Sequence, residues 1–145
     1  MFKIPEKFTG LNASLLSFSE VKALCYSLQG LELCSVKNIT DYEYPNNYFR
    51  AKVKDSEGEF ELIQNCFVKI LAFKKIDSEN IFLNKESIES AIHSLDSEIN
   101  VLDSSQLSQK IQFEQLNGLS KLELKEVKYW LPASIGEMLF CSFFD

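Results

Sequence analysis

One imidazole, four thiols and 21 carboxylates set the chemistry this chain could attempt. His93 could activate Cys25, Cys34, Cys66 or Cys141 if the two met in space with an acid orienting the ring. The cysteines are 9, 32 and 75 residues apart and sit in apolar surroundings such as Leu24-Cys25-Tyr26 and Phe140-Cys141. Those are settings for reduced, buried, inert thiols. A single histidine with scattered cysteines offers little to a zinc site of ordinary spacing. His93 follows Ile92 at the edge of an apolar helical face, the place of a surface or boundary histidine. Glu57, Glu59 and Glu61 alternate and would share one face of a strand, where burial could raise a carboxyl pKa. The same alternation describes the solvated face of a hairpin whose other face is Phe60 and Leu62. HExxH, CxxC, GxSxG, GxGxxG and P-loop patterns are all missing from the sequence. The expectation is a binding protein without catalytic residues, metal or cofactor.

The net charge of −6 is unevenly distributed. Between Asp77 and Asp103, seven acids (Asp77, Glu79, Glu86, Glu89, Asp96, Glu98, Asp103) stand against one base, Lys85. Elsewhere acids and bases balance. An acidic patch repels phosphate backbones, so direct nucleic-acid binding is not expected, and a basic protein partner suits it. A solvated helix face kept acidic for solubility is the competing reading. Asp41-Tyr42-Glu43-Tyr44, ahead of Pro45-Asn46-Asn47, joins aromatic area to acids that could pair with a basic partner. Its alternative is a loop whose tyrosines pack back onto the sheet. The partner-binding candidates are therefore Asp41, Tyr42, Glu43, Tyr44, Asp77, Glu79, Glu86 and Glu89.

The elements that must position these groups follow from periodicity. Residues 14–29 predict a helix, with Ser17 and Glu20 as a capping box and Gly30 as its stop. Residues 31–40 alternate as a strand, and DYEYPNN turns the chain. Residues 48–54 and 59–64 predict a hairpin about Asp55-Ser56-Glu57-Gly58. Residues 67–74 predict a strand covered on both faces, and 81–83 a short extension. Asn84 is placed to cap a helix over 85–95, 99–102 could form a short strand, and 104–116 is read as helix. Ser120 and Glu123 form a second capping box for a helix that Pro132 ends. Strands thus gather in the first half and helices in the second: an α+β fold, with an antiparallel-rich sheet of four or five strands packed against helices.

At 145 residues the chain suits a single compact domain, 1–145, with 46% apolar content for a core. Its start, MFKIPEKFTG, does not read as a secretory signal, and the apolar clusters are too short to span a bilayer. The expected compartment is the cytoplasm, with no membrane association.

The tail Lys128-Tyr129-Trp130-Leu131-Pro132-Ala133-Ser134-Ile135-Gly136-Glu137-Met138-Leu139-Phe140, closing on Phe143-Phe144-Asp145, resembles a signature of small bacterial immunity proteins. Those proteins are encoded beside polymorphic or contact-dependent-inhibition toxins and end in Tyr-Trp-x-Pro-x-x-Ile-Gly-acid-x-x-Phe-Asn-x-Trp-Asp. Residues 63–73 are similar to a hydrophobic strand pair in the same proteins. The chain departs from the signature at Cys141, where Asn is expected, and at Phe144, where Trp is expected. The resemblance implies a cytosolic inhibitor that binds one cognate toxin and blocks its active site or substrate surface. A nuclease-type toxin must be basic to hold phosphates, and an acidic inhibitor would meet it by electrostatic steering. The tail itself is expected to be structural, with Trp130, Phe140, Phe143 and Phe144 in the core and Gly136 permitting a close approach. The other reading is a different non-catalytic interaction module or a homo-oligomeric subunit.

Overall fold

The structure, a computed structural model, describes residues 2–142 and residue 144. It is α+β. In chain order the elements are α1 (Phe18–Gly30), β1 (Ser35–Thr40), β2 (Tyr48–Asp55), β3 (Gly58–Asn65), β4 (Ile70–Lys74), β5 (Phe82–Leu83), α2 (Glu86–Leu95), β6 (Asn100–Val101), α3 (Ser104–Ser108), a 3-10 turn (Phe113–Leu116), α4 (Lys121–Trp130) and α5 (Ile135–Leu139). Strands β1 to β5 lie side by side in chain order, each antiparallel to the next. The short β6 pairs in parallel with Ile70 and Leu71, while β5 pairs with Phe73 and Lys74. Both therefore use the side of β4 that β3 leaves free.

Side chains alternate across a strand, and here that sorts the apolar residues into two cores. Phe49, Ala51 and Val53 of β2, Phe60 and Leu62 of β3, and Leu71 and Phe73 of β4 pack beneath α1 and α2. Ile63, Ile70 and Ala72 face the other way, toward Ile4 and Phe8 of the N-terminal segment and residues of α3, α4 and α5. The helices of this second layer do not reach across β1 and β2, whose outward residues Asn38, Arg50 and Lys52 remain exposed.

Two buried asparagines fasten the layers together. Asn65, fully buried at the end of β3, donates to the carbonyls of Phe8 (3.1 Å) and Leu139 (2.8 Å). Its Oδ1 accepts from the N–H groups of Phe67 (2.9 Å) and Val68 (3.1 Å). Asn47 accepts from the Cys141 N–H at 2.7 Å, while its backbone N–H donates to the Cys141 carbonyl at 2.9 Å. Buried Glu123 of α4 adds a third tie, accepting from the N–H of Lys7 (2.8 Å) and from the N–H (3.3 Å) and hydroxyl (2.7 Å) of Thr9.

Several local expectations are corrected by these bonds. The strand expected over 67–74 starts only at Ile70, because Asn65 binds the next two free N–H groups and bends the chain. The strand expected over 31–40 starts at Ser35; residues 31–33 close α1, with Glu32 at φ 62°. Ser17 makes no side-chain cap but meets the Ser19 hydroxyl at 2.8 Å. Lys85 rather than Asn84 precedes α2, and Asn84 instead binds Ser104 through both side-chain atoms. The span 104–116 splits into α3, whose cap is an Asp103–Gln106 box, an extended stretch and the 3-10 turn. Ser120 caps α4 as expected, but Glu123 is spent on Lys7 and Thr9. In the tail, Phe140 and Phe144 are buried and a Cβ at Gly136 would overlap the Phe82 ring. Trp130 is not core: it is 42% exposed. Phe143 lies outside the described residues.

Asn65→Ala removes four hydrogen bonds, takes the side-chain donor from the Leu139 carbonyl and leaves the Phe8 carbonyl with only the longer bond from Asn47 Nδ2 at 3.4 Å. It is expected to lower the unfolding free energy by about 3 kcal/mol. In urea denaturation the midpoint should fall, whereas Asn117→Ala, at an exposed turn, should stay within about 0.5 kcal/mol of the parent.

Candidate functional site

The thiols and the imidazole do not come together. All four cysteines are buried. Burial, with Cys34 nearby, pushes the Cys25 thiol up to about 12, and burial, with Asp41 nearby, does the same to Cys66. Such thiols hold their protons at neutral pH and make poor nucleophiles. His93 stands on the exposed side of α2, with Nε2 3.9 Å from a Glu89 oxygen. Among the described residues no group of three or more His, Cys, Asp and Glu is placed to hold a metal ion, and no helix is long and apolar enough to cross a membrane.

The eight candidate residues occupy three places. Asp41, Tyr42, Glu43 and Tyr44 form the β1–β2 loop. Tyr42 packs edge-on against Phe67 with ring centroids 5.9 Å apart, whereas Tyr44 is 66% exposed. Tyr42 thus packs back onto the sheet and Tyr44 does not. Asp77 and Glu79 lie on the β4–β5 loop, Glu79 in a depression with Tyr48, Glu137 and Phe140. Asp77 borders a depression with Thr40, Arg50, Lys52 and Glu61, so it shares a side of the molecule with the β1–β2 loop. Glu86 and Glu89 belong to α2, beyond the opposite face of the sheet.

The uncovered sheet face neutralises itself. Glu61 is nearly buried between Arg50 (3.7 Å) and Lys74 (3.6 Å), and Glu59 pairs with Lys52 at 3.2 Å. Glu57 leaves that row: it sits in the hairpin turn, 3.5 Å from Lys85. The three glutamates expected on one face are therefore divided between two.

The α1–α2 side is different. A cleft of about 550 Å³ opens between the end of α1, the β2–β3 turn and the start of α2, lined by Glu32, Asp55, Glu57 and Glu86 around Lys85. Lys85 is held on Asp55 at 2.9 Å and lies 4.5 Å above the Phe60 ring, so its charge is turned inward. A groove of about 250 Å³ runs between α1 and α2, with Leu16, Val21, Leu24, Leu95 and Ile99 in its lining and Glu20 and Asp96 beside them. Lys69 is shared by Asp96 (3.0 Å) and Glu98 (3.2 Å). With Glu89 and Lys22, the two concavities and their edges gather eight carboxylates and three lysines, and Lys37 and Lys54 border Glu32 and Asp55 in the adjoining depression. Glu20, Glu32, Asp55 and Glu57 were missed from the sequence. They come from α1, the turn after it and the hairpin tip, and no local pattern links them to α2.

Two of these acids are tuned by their partners. Burial pushes Asp55 upward, but hydrogen bonds from Lys85 and from the Glu57 and Gly58 N–H groups outweigh it and hold the carboxyl below the usual range. Lys69 first, and then the Glu98 N–H, hold Asp96 below that range as well. Compared with known protein families, with curated proteins and with solved structures, the chain matches none.

A carboxyl whose pKa is depressed by folding contributes stability above its unfolded pKa and loses that contribution as pH falls through the folded value. Unfolding free energy is therefore expected to hold near neutral pH and to decline on acidification below about pH 5. Asp55→Asn should flatten part of that decline in urea titrations taken at successive pH values. An unchanged acid limb would show that Lys85 does not bind the Asp55 anion more tightly in the folded state.

Proposed function

We propose that the chain is an immunity-type inhibitor, a non-catalytic cytoplasmic protein that binds one basic cognate toxin domain, of nuclease type, and covers its active site or substrate surface. The observation that carries this reading is the acidic α1–α2 side, where Lys69 and Lys85 are turned onto carboxylates and Glu32 and Glu86 are exposed. A nuclease must present cations to phosphate, so such a surface attracts it and accelerates encounter. The tail signature supplies the kind of partner, and the charge supplies the side on which it docks. Of the eight candidate residues this reading keeps Glu86 and Glu89 on α2 and leaves out the β1–β2 loop, Asp77 and Glu79.

Co-expression with the product of the adjacent gene should rescue growth and yield a stable 1:1 complex. In that complex, Glu86→Lys with Glu89→Lys is expected to slow association at low ionic strength by about tenfold, with the gap closing as salt rises. Stopped-flow or surface-plasmon kinetics read this directly. If Asp41→Lys with Glu43→Lys slows association instead, the docking side is the β1–β2 loop. A harmless neighbour that never co-purifies removes the inhibitor reading.

A further inference from the structure

Four large apolar side chains stand exposed within ten residues of one another: Leu122 (54%), Tyr129 (75%), Trp130 (42%) and Leu131 (77%). On α4, Leu122 and Tyr129 are seven residues apart and share a stripe on the solvent side, opposite buried Glu123 and Val127. Trp130 stiffens that stripe, its ring edge-on to Tyr129 at 5.0 Å and its indole N–H donating to Glu126 at 3.0 Å. Leu131 follows in the left-handed region, at φ 49° and ψ 59°. For a residue with a Cβ that backbone costs about 1 kcal/mol, and here it displays a leucine at the helix end without burying it. Lys121, Lys125 and Lys128, all exposed, flank the stripe. Rigid aromatic and aliphatic anchors beside cations describe a surface that docks on something apolar with an acidic rim.

The molecule carries such a surface on its far side. The groove between α1 and α2 is floored by apolar side chains, Leu95 at its edge is 46% exposed, and Glu20 borders it together with Asp96, which is paired at 3.0 Å with Lys69 of the same lining. We propose that the α4 stripe of one copy docks on the α1–α2 groove of a second copy, making a head-to-tail contact. Stripe and groove lie beyond opposite faces of the sheet, so one copy cannot satisfy both by itself. Each contact leaves a free stripe at one end and a free groove at the other. Such a heterologous contact can extend or close into a ring, in contrast to a twofold dimer. The area is small, so association is weak and depends on concentration. The contact stands without the toxin reading; where that reading also holds, partner and second copy compete for the α1–α2 side.

Sedimentation velocity on the full chain, across about two decades of concentration, tests this. At low salt the average sedimentation coefficient is expected to climb beyond that of a dimer, and to return to the monomer value as salt rises. Tyr129→Ser loses the stripe, and Glu20→Lys with Leu95→Lys loses the groove; each should be monomeric alone. Mixed in equal amounts, the two should form a 1:1 complex that grows no further, since only one productive contact remains. Should Tyr129→Ser unfold, Leu131→Gly takes its place, because glycine accepts the left-handed backbone and keeps the helix end. A parent chain that is monomeric throughout overturns the proposal. So does a dimer that Tyr129→Ser abolishes and mixing fails to restore, which would mean a symmetric α4 contact.

Discussion

The rest of the structure depends on the buried amide of Asn65. A side-chain amide taken out of water must find partners for two donors and an acceptor, or cost several kcal/mol. Here it binds two carbonyls from the chain's two ends and two N–H groups from the bend after β3. The bond network therefore does more than add stability. It specifies where β3 ends, where β4 begins and how the N-terminal segment lies against α5. Asn47, immediately before β2, makes a similar tie to Cys141.

With the second layer held in that way, the sheet becomes a sorting device for charge. Alternation puts Arg50, Lys52, Glu59 and Glu61 on one face, where cross-strand register sets cations against carboxylates. Cations used there are not available to the other face. Lys69 and Lys85, the lysines tied into carboxylates on the α1–α2 side, are drawn onto Asp96, Glu98 and Asp55. The acids left over point to solvent. An asymmetric field of this kind acts on association rates and on the choice of partner more than on stability.

The opposite layer presents the complementary character: lysines beside exposed aromatic and aliphatic side chains on α4. Acidic and basic-aromatic surfaces on opposite sides of one small molecule give it two directions of contact. Leu122 near the start of α4, and Tyr129, Trp130 and Leu131 at its end, leave apolar area exposed on this side.

Much of the fold was legible in the residues themselves. The hairpin 48–65, α1, α2, α4 and the division of strands from helices follow from periods of 2 and 3.6, since those patterns report which face of an element meets the core. The burial of the cysteines and the close approach at Gly136 were also foreseeable from their apolar neighbours. Local hydrogen bonding misled in a consistent way. Ser17, Asn84 and Glu123 all had capping chemistry, yet competing partners close in space took Asn84 and Glu123: Ser104 for the first, Lys7 and Thr9 for the second. Trp130 was misplaced because an aromatic residue on an amphipathic helix reads as core unless the neighbouring elements are known. The acidic side was legible only in part. Composition located the excess charge between Asp77 and Asp103, but Asp77 and Glu79 went to one face of the sheet, and Glu86 and Glu89 to the other. Glu20, Glu32, Asp55 and Glu57 joined α2 from elsewhere. Sequence determined which side chains are charged and which elements carry them. Tertiary structure decided which charges neutralise one another, because pairing depends on distances of a few ångströms between residues that the chain itself keeps far apart.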